Sequence, residues 1–383
     1  MSEWPMVKLG EYCDVIMGQA PKGIDVNEDL MGLPLIAGAG DFSSTGVEVS
    51  KWTEKPTKTC IINDIILSVR ATVGTYRFAD RDYCLGRGVA ALRAKDNLDQ
   101  KYLSFVIDFY RTKLLSAARG ATFLQISKAD IETLMIPLPP LGEQKRIAEI
   151  LGEASKTIKD TEKIIHNVQG LKRSALRGIL DNKSGEYVQL SQISSVQSGI
   201  TKGRKVQNGI TLMPTPYMAV SNVKAGYLDL SEVKQIDASE AEVNRYQLQA
   251  GDILLTEGGD PDKLGRGTIW RNEIPGAIHQ NHIFRVRINP DSGFTSEALM
   301  AILESTESKG YFFRSAKQTT GISSINKRQL SATPIPVLGK MQIEELTNMW
   351  HKIDEVIELY HRKLSLLQEL QKSLATRAFA GLL

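Results

Sequence analysis

Six cations, Arg70, Arg77, Arg81, Arg87, Arg93 and Lys95, fall within 26 residues that hold only Asp80 and Asp82 as opposing charge. Arginine presents a planar fork of donors that fits phosphate or a base edge, and lysine a mobile point charge. Further along, "TKGRKVQNG" (Thr201–Gly209) sets Lys202, Arg204 and Lys205 beside two amides and between glycines, and Lys22 holds the matching place in "APKGID". Glycine lets a backbone approach a phosphate closely. "DKLGRGT" adds Lys263 and Arg266, and "HQNHIFR" adds Gln280 and Asn281, whose amide donors and acceptors match base edges. "ARGATF" and "KQTTGI" supply Arg119 and Thr122, then Lys317 and Gln318. The chemistry such residues support is contact with a polyanion, cations gripping phosphates while forks and amides read bases.

Motifs of bond-making chemistry are missing. The chain has no Asn-Pro-Pro-Phe/Tyr of an amino-methyltransferase, no GxxxxGK[ST] loop and no PD…ExK nuclease spacing. "GAGDFS" at Gly38 lacks the third glycine of a dinucleotide loop and reads as a turn. His279 and His282 form a His-x-x-His pair with no third ligand beside it, so neither a metal site nor a catalytic residue is expected. Cys13, Cys60 and Cys84 are odd in number and make no CxxC, which suits a reducing cytoplasm. There is no signal-peptide pattern and no apolar run near the ~18 residues of a membrane span. With a net charge of +3 over 383 residues, nucleic-acid contact must come from local patches.

These residues sit in a sequence that repeats itself. Val7, Leu9, Val15 and Gly18 match Val188, Leu190, Val196 and Gly199 at an offset of 181; "PLIA" at Pro34 meets "PYMA" at Pro216, "NDIILS" at Asn63 meets "GDILLT" at Gly251, "GRGVAALR" at Gly86 meets "QNHIFRVR" at Gln280, and "ISKADIETLMIP" at Ile126 meets "INKRQLSATPIP" at Ile325. The offset grows smoothly to 199 without a change of order, as a tandem duplication with loop insertions would give. Short apolar runs beside turn residues read as buried strands, and the spacing of Gln100–Ala118 as helix, so each copy is mixed α and β.

After each copy comes a long stretch with a narrow apolar stripe. The first runs through Ile147, Leu151, Ala154, Ile158, Thr161, Ile165, Val168, Lys172, Ala175 and Ile179. The second runs through Ile343, Leu346, Trp350, Ile353, Ile357, Tyr360, Leu364, Leu367, Gln371, Leu374 and Ala378. A stripe that narrow over about five heptads is a coiled-coil seam. Two such helices of about 57 Å, each attached to an equivalent domain, suit an antiparallel pair related by a pseudo-twofold axis. Pro139 and Pro140 stop the first domain and launch its helix, with Glu143 at the positive helix end. The expected organisation is a recognition domain over 1–140, a central helix over 141–185, a second recognition domain over 186–338 and a C-terminal helix over 339–383. The fold class is α+β: two similar mixed α/β domains separated by two long helices in an antiparallel coiled coil.

The segments "IPLPPLGEQKRIAEIL", "GDILLTEGGDPDKLGRGT", "HQNHIFRVR" and "LQKSLATRAFAGLL" resemble the specificity subunit of type I restriction-modification systems. The resemblance covers essentially the whole chain, half-repeat included. It implies two target recognition domains, each reading one half of a bipartite double-stranded DNA site, with the helices setting the gap and docking two modification (methyltransferase) subunits. It also implies restriction subunits as partners, with S-adenosylmethionine, ATP and magnesium held by those subunits and no cofactor in this chain. One departure is "PIPVLGKMQIEEL", which lacks the Pro-Pro and Glu-Gln of the first copy, so a different helix exit angle is expected at Pro336. The competing expectation is a coiled-coil scaffold without DNA specificity, in which replacing Arg87 or Arg266 by Ala leaves assembly and methylation untouched.

Overall fold

A computed structural model describes residues 4–43, 46–120, 124–181, 185–207, 209–259, 264–319 and 322–383. The chain divides into two compact units, Met1–Asp160 with Leu364–Leu383, and Thr161–Lys363.

The first unit is built on an antiparallel sheet of β1 (Cys13–Met17), β2 (Ile65–Ser68), β3 (Tyr76–Phe78) and β4 (Val89–Ala94), in the order β1-β4-β2-β3, with α1 (Gln100–Phe109) packed into the same core. A 40-residue helix, α2 (Leu141–Leu180), begins in this unit and ends in the other. The second unit repeats the plan with β5 (Ser194–Ser198), β6 (Ile253–Thr256), β7 (Gly267–Ile269) and β8 (Ile283–Ile288) in the order β5-β8-β6-β7, and with α3 (Ser296–Leu303). There a 41-residue helix, α4 (Lys340–Ala380), begins, and its end belongs to the first unit.

The central strands show why "IILS" and "ILLT" are unbroken apolar runs. Ile65 and Leu67 face the core that holds α1, while Ile66 faces a second cluster with Ile36, Leu85 and Ala91. Likewise Ile253 and Leu255 face the α3 core, and Leu254 a cluster with Met218 and Trp270. A strand covered on both faces keeps no polar alternation. The duplication extends to the edges. Leu35 pairs with Cys84 and Tyr217 with Ile278, both in parallel. The short helices Lys128–Glu132 and Lys327–Ser331 each open on a capping box, Ser127 with Asp130 and Asn326 with Gln329.

Within each unit the two long helices run in opposite directions. In the first, Arg146 donates to the Leu383 carbonyl at 2.8 Å and Gln371 to the Ser155 hydroxyl at 2.6 Å, so one chain rises as the other falls. In the second, Lys172 pairs with Asp354 at 3.2 Å, while Leu176 and Leu180 share a core with Trp350, Leu346 and Ile343. Of the seam residues, Ile147, Leu151, Ile158, Ile165, Leu346, Trp350 and Ile357 are buried, and Val168, Ile353, Tyr360, Leu364, Leu367 and Leu374 are half-buried. The stripe drifts after Lys172. Ala175 is exposed and Leu176 and Leu180 are buried instead, because an α-helix advances 3.6 residues per turn and slips ~20° per heptad against a 3.5 repeat. The final turns of α2 therefore face their domain core.

The helix entrances differ, as their sequences do. The Pro140 carbonyl accepts from the Glu143 and Gln144 amides at 2.9 and 3.0 Å. The buried Gln144 side chain donates to the Pro139 and Asn97 carbonyls and accepts from the Asp99 amide, which ties α2 to the start of α1. At the second entrance the equivalent residue is buried Ile343, and Gln342 accepts from the Gly339 amide at 3.0 Å.

Candidate nucleic-acid interface

In the first unit the end of β2, the loop before β4 and the segment after Ile36 meet in a cleft of about 700 Å³ lined by Gly38, Gly40, Thr72, Gly86 and Gly88, with Arg70 and Arg87 on it. At Gly86 and Gly88 glycine is required by close approach. A Cβ on Gly86 would lie 2.8 Å from the Ile36 carbonyl oxygen, and one on Gly88 would overlap that of Ala37. The loops are pinned to each other by Gly86 N–H to Ile36 at 2.7 Å, Gly88 N–H to Ala37 at 3.0 Å and Val69 N–H to Gly88 at 2.9 Å. Ala71 holds φ +59°, which a non-glycine residue seldom adopts, in the tight turn after Arg70. Among the described residues, neither Arg70 nor Arg87 has an ion-pair partner, and both are exposed.

The second unit builds the same frame from different residues. Gln280 N–H donates to Met218 at 3.0 Å and Glu257 N–H to His282 at 2.9 Å, the counterparts of the Gly86 and Val69 bonds. A Cβ on Gly18 would overlap the Gly86 carbonyl, and one on Gly199 that of His279, so the matched glycines serve one purpose. A three-segment edge also recurs. Arg70 pairs with Gln125 and Gln125 with Arg119; Gly258 pairs with Ser324 and Ser324 with Lys317. Neutral contacts set the amides beside it: Gln280 accepts from the Val220 amide at 3.2 Å, and Asn281 Nδ2 lies 3.4 Å from His282 Nε2.

The structure thus brings Arg70, Arg87 and the backbone of Arg119 together in one unit, and the backbones of Gln280, Asn281 and Lys317 together in the other. Lys22, Lys202 and Lys205 are exposed on loops that follow β1 and β5. Thr122 and Lys263 lie outside the described residues, as does the side chain of Gln318. Other cations are engaged. Arg77 donates to the Ser43 and Tyr76 carbonyls and stacks on Phe42 at 5.6 Å. Arg81 sits 3.5 Å from Asp80, Arg93 is held by Asp64, and Lys95 by Asp14 at 3.2 Å. Arg204 forks onto Glu242, whose carboxyl it pulls down to about 2. Arg266 belongs to a separate cleft with Lys224, Tyr227 and Lys309.

Three residues escaped the sequence reading: Gln125, Thr72 and Glu257, whose carboxylate lies 2.5 Å from His282 Nδ1. The alignment of "ISKAD" with "INKRQ" puts Gln125 opposite Ser324 and was the available signal for the first. His279 is buried with its Nδ1 3.1 Å from the Tyr246 carbonyl, and burial lowers it to about 4. It does not join His282, and among the described residues no cluster could hold a metal ion. No helix among them is long and apolar enough to cross a membrane.

The family model of the type I restriction modification DNA specificity domain matches residues 1–169. The putative type I restriction enzyme MjaX specificity subunit of Methanocaldococcus jannaschii is 33% identical over 184 residues, 47% of this chain and 43% of that protein. The EcoKI specificity subunit of Escherichia coli is 25% identical over 295 residues, 71% of this chain and 62% of that one. The match therefore spans less than two thirds of either relative. In fold, the chain is similar to the crystal structure of the type I restriction-modification S subunit from M. genitalium, with a TM-score of 0.58 at 16% identity over 99% of this chain and 96% of that one.

Proposed function

We propose that this chain, whose residues 1–169 match the model of the type I restriction modification DNA specificity domain and which is similar to type I specificity subunits, reads a bipartite double-stranded DNA sequence for a restriction-modification complex. Each unit reads one half-site through its loop frame, and the paired helices set the gap and dock two methyltransferase subunits. Restriction subunits join the same assembly. The chain itself is non-catalytic, and S-adenosylmethionine, ATP and magnesium are used by the partners.

The observation that carries this reading is the repeated frame. Two units with one strand order and one set of backbone hydrogen bonds present different side chains at the same places. A rigid frame with exchanged polar tips is what two related but different half-sites require. The test is co-expression with the modification subunit of its own system: a stable complex should form and methylate two half-sites at one fixed spacing. A complex that assembles yet methylates without sequence preference would leave only the scaffold.

A further inference from the structure

The two frames differ most informatively at the middle residue of the loop before the fourth sheet strand. Arg87 stands there between Gly86 and Gly88, and Asn281 between Gln280 and His282. Their equivalence follows from hydrogen bonds on both sides. The preceding amide donates across to Ile36 or Met218, and the following carbonyl accepts from Val69 or Glu257. Asn281 is pinned once more, its own amide donating to Ile200 at 3.0 Å. A side chain that leaves a backbone fixed on both sides has its reach decided before any ligand arrives, which is the condition for reading an edge rather than gripping a phosphate.

The side chains at this place suit different bases. A guanidinium offers two parallel donors, matching the O6 and N7 acceptors of guanine, while a carboxamide offers one donor and one acceptor, matching N7 and N6 of adenine. Arg87 has no ion pair among the described residues and projects from a glycine-walled cleft that leaves room for a groove edge. Arg70 cannot serve the same comparison, because its counterpart is Gly258, which has no side chain to read with.

We infer that Arg87 and Asn281 are the equivalent positions at which the two units read different bases, Arg87 a guanine in one half-site and Asn281 an adenine in the other. This rests on the DNA-reading function proposed above.

The test uses the full chain co-expressed with its modification subunit, with methylated motifs read from the host genome for the wild type and for Arg87→Asn, Asn281→Arg and Arg87→Lys. Arg87→Asn should change one base of one half-site from guanine toward adenine. Asn281→Arg should make the opposite change in the other half-site. Gap and remaining bases should stay the same. Arg87→Lys keeps the charge and loses the fork, so discrimination at that base should fall about 10- to 100-fold. Melting curves identify any variant that does not fold, and the lysine variant, the mildest of the three, then carries the test at that site. Unchanged motifs, or a uniform loss on all sequences, would overturn the assignment and leave Arg87 and Asn281 as phosphate contacts. A wild-type chain that yields no motif at all would instead overturn the DNA-reading function.

Discussion

Arg93 holds Asp64 by two parallel hydrogen bonds, Nε to Oδ1 at 2.9 Å and Nη2 to Oδ2 at 2.7 Å, and Arg287 repeats the grip on Asp252 at 2.7 Å for both bonds. Each aspartate also accepts from the amide three residues before it, Ile61 or Gln249, and follows a left-handed residue, Asn63 at φ +72° or Gly251 at φ +90°. The pair therefore fixes the entrance to the central strand in both units. Asp64 is almost fully buried and Arg93 about a third exposed. Replacing Arg93 by Ala should destabilise the first unit by about 2–3 kcal/mol, the cost of an unpaired buried carboxylate discounted for solvent on the arginine. Urea denaturation measures this. Weakened DNA binding at unchanged stability would return Arg93 to the interface.

The close approach at Gly18 and Gly199 leaves no space for a methyl group, since each faces a backbone carbonyl that cannot rotate away. Gly18→Ala and Gly199→Ala should each cost about 3 kcal/mol by overpacking, and Gly23→Ala, with open space around its Cβ position, almost nothing. Comparing denaturation midpoints of the three variants decides it.

Acid should weaken the second unit through His279. Burial keeps this imidazole neutral in the folded chain and lowers its pKa from 6.5 to about 4. Protonation is then easier in the unfolded chain, so the associated stability is complete above about pH 6.5 and is lost as pH falls toward 4. His279→Asn should flatten that part of the stability profile, at the expense of about 1–2 kcal/mol at pH 7. An unaltered slope between pH 6.5 and 4 would assign the acid sensitivity to other groups.

Exposed cations and engaged cations should separate in salt titrations of DNA binding. Each phosphate contact adds about 0.9 to the slope of log affinity against log salt. Ala at Lys202, Lys205 or Lys317 should each lower that slope by about one. Ala at Arg77 or Arg204 should leave it unchanged, because those guanidinium groups are spent on the Ser43 carbonyl and on Glu242.

Much of the fold was legible in the sequence because a duplication writes each signal twice. The matches of Asn63 with Gly251 and of Gly18 with Gly199 pick out positions that share a left-handed turn or a tight contact. The antiparallel seam was also readable, down to the buried Ile147, Leu151 and Trp350. The site was less so. Arg77, Arg93 and Arg204 looked like interface because a cation's partner lies far off in sequence: Ser43 is 34 residues from Arg77, and Glu242 is 38 from Arg204. The seam beyond Lys172 was misplaced for a related reason. A helix leaving its partner for its own domain shifts its buried face, and the domain core that draws it cannot be seen in the helix sequence.

The most direct test of the central claim, that helix length sets the distance between the bases read, is a matched insertion. Adding one heptad to each long helix lengthens the pair by about 10 Å, about three base pairs of DNA. The methylated motif should keep both half-sites and gain about three base pairs in its gap. Both half-sites methylated at the original spacing would contradict it.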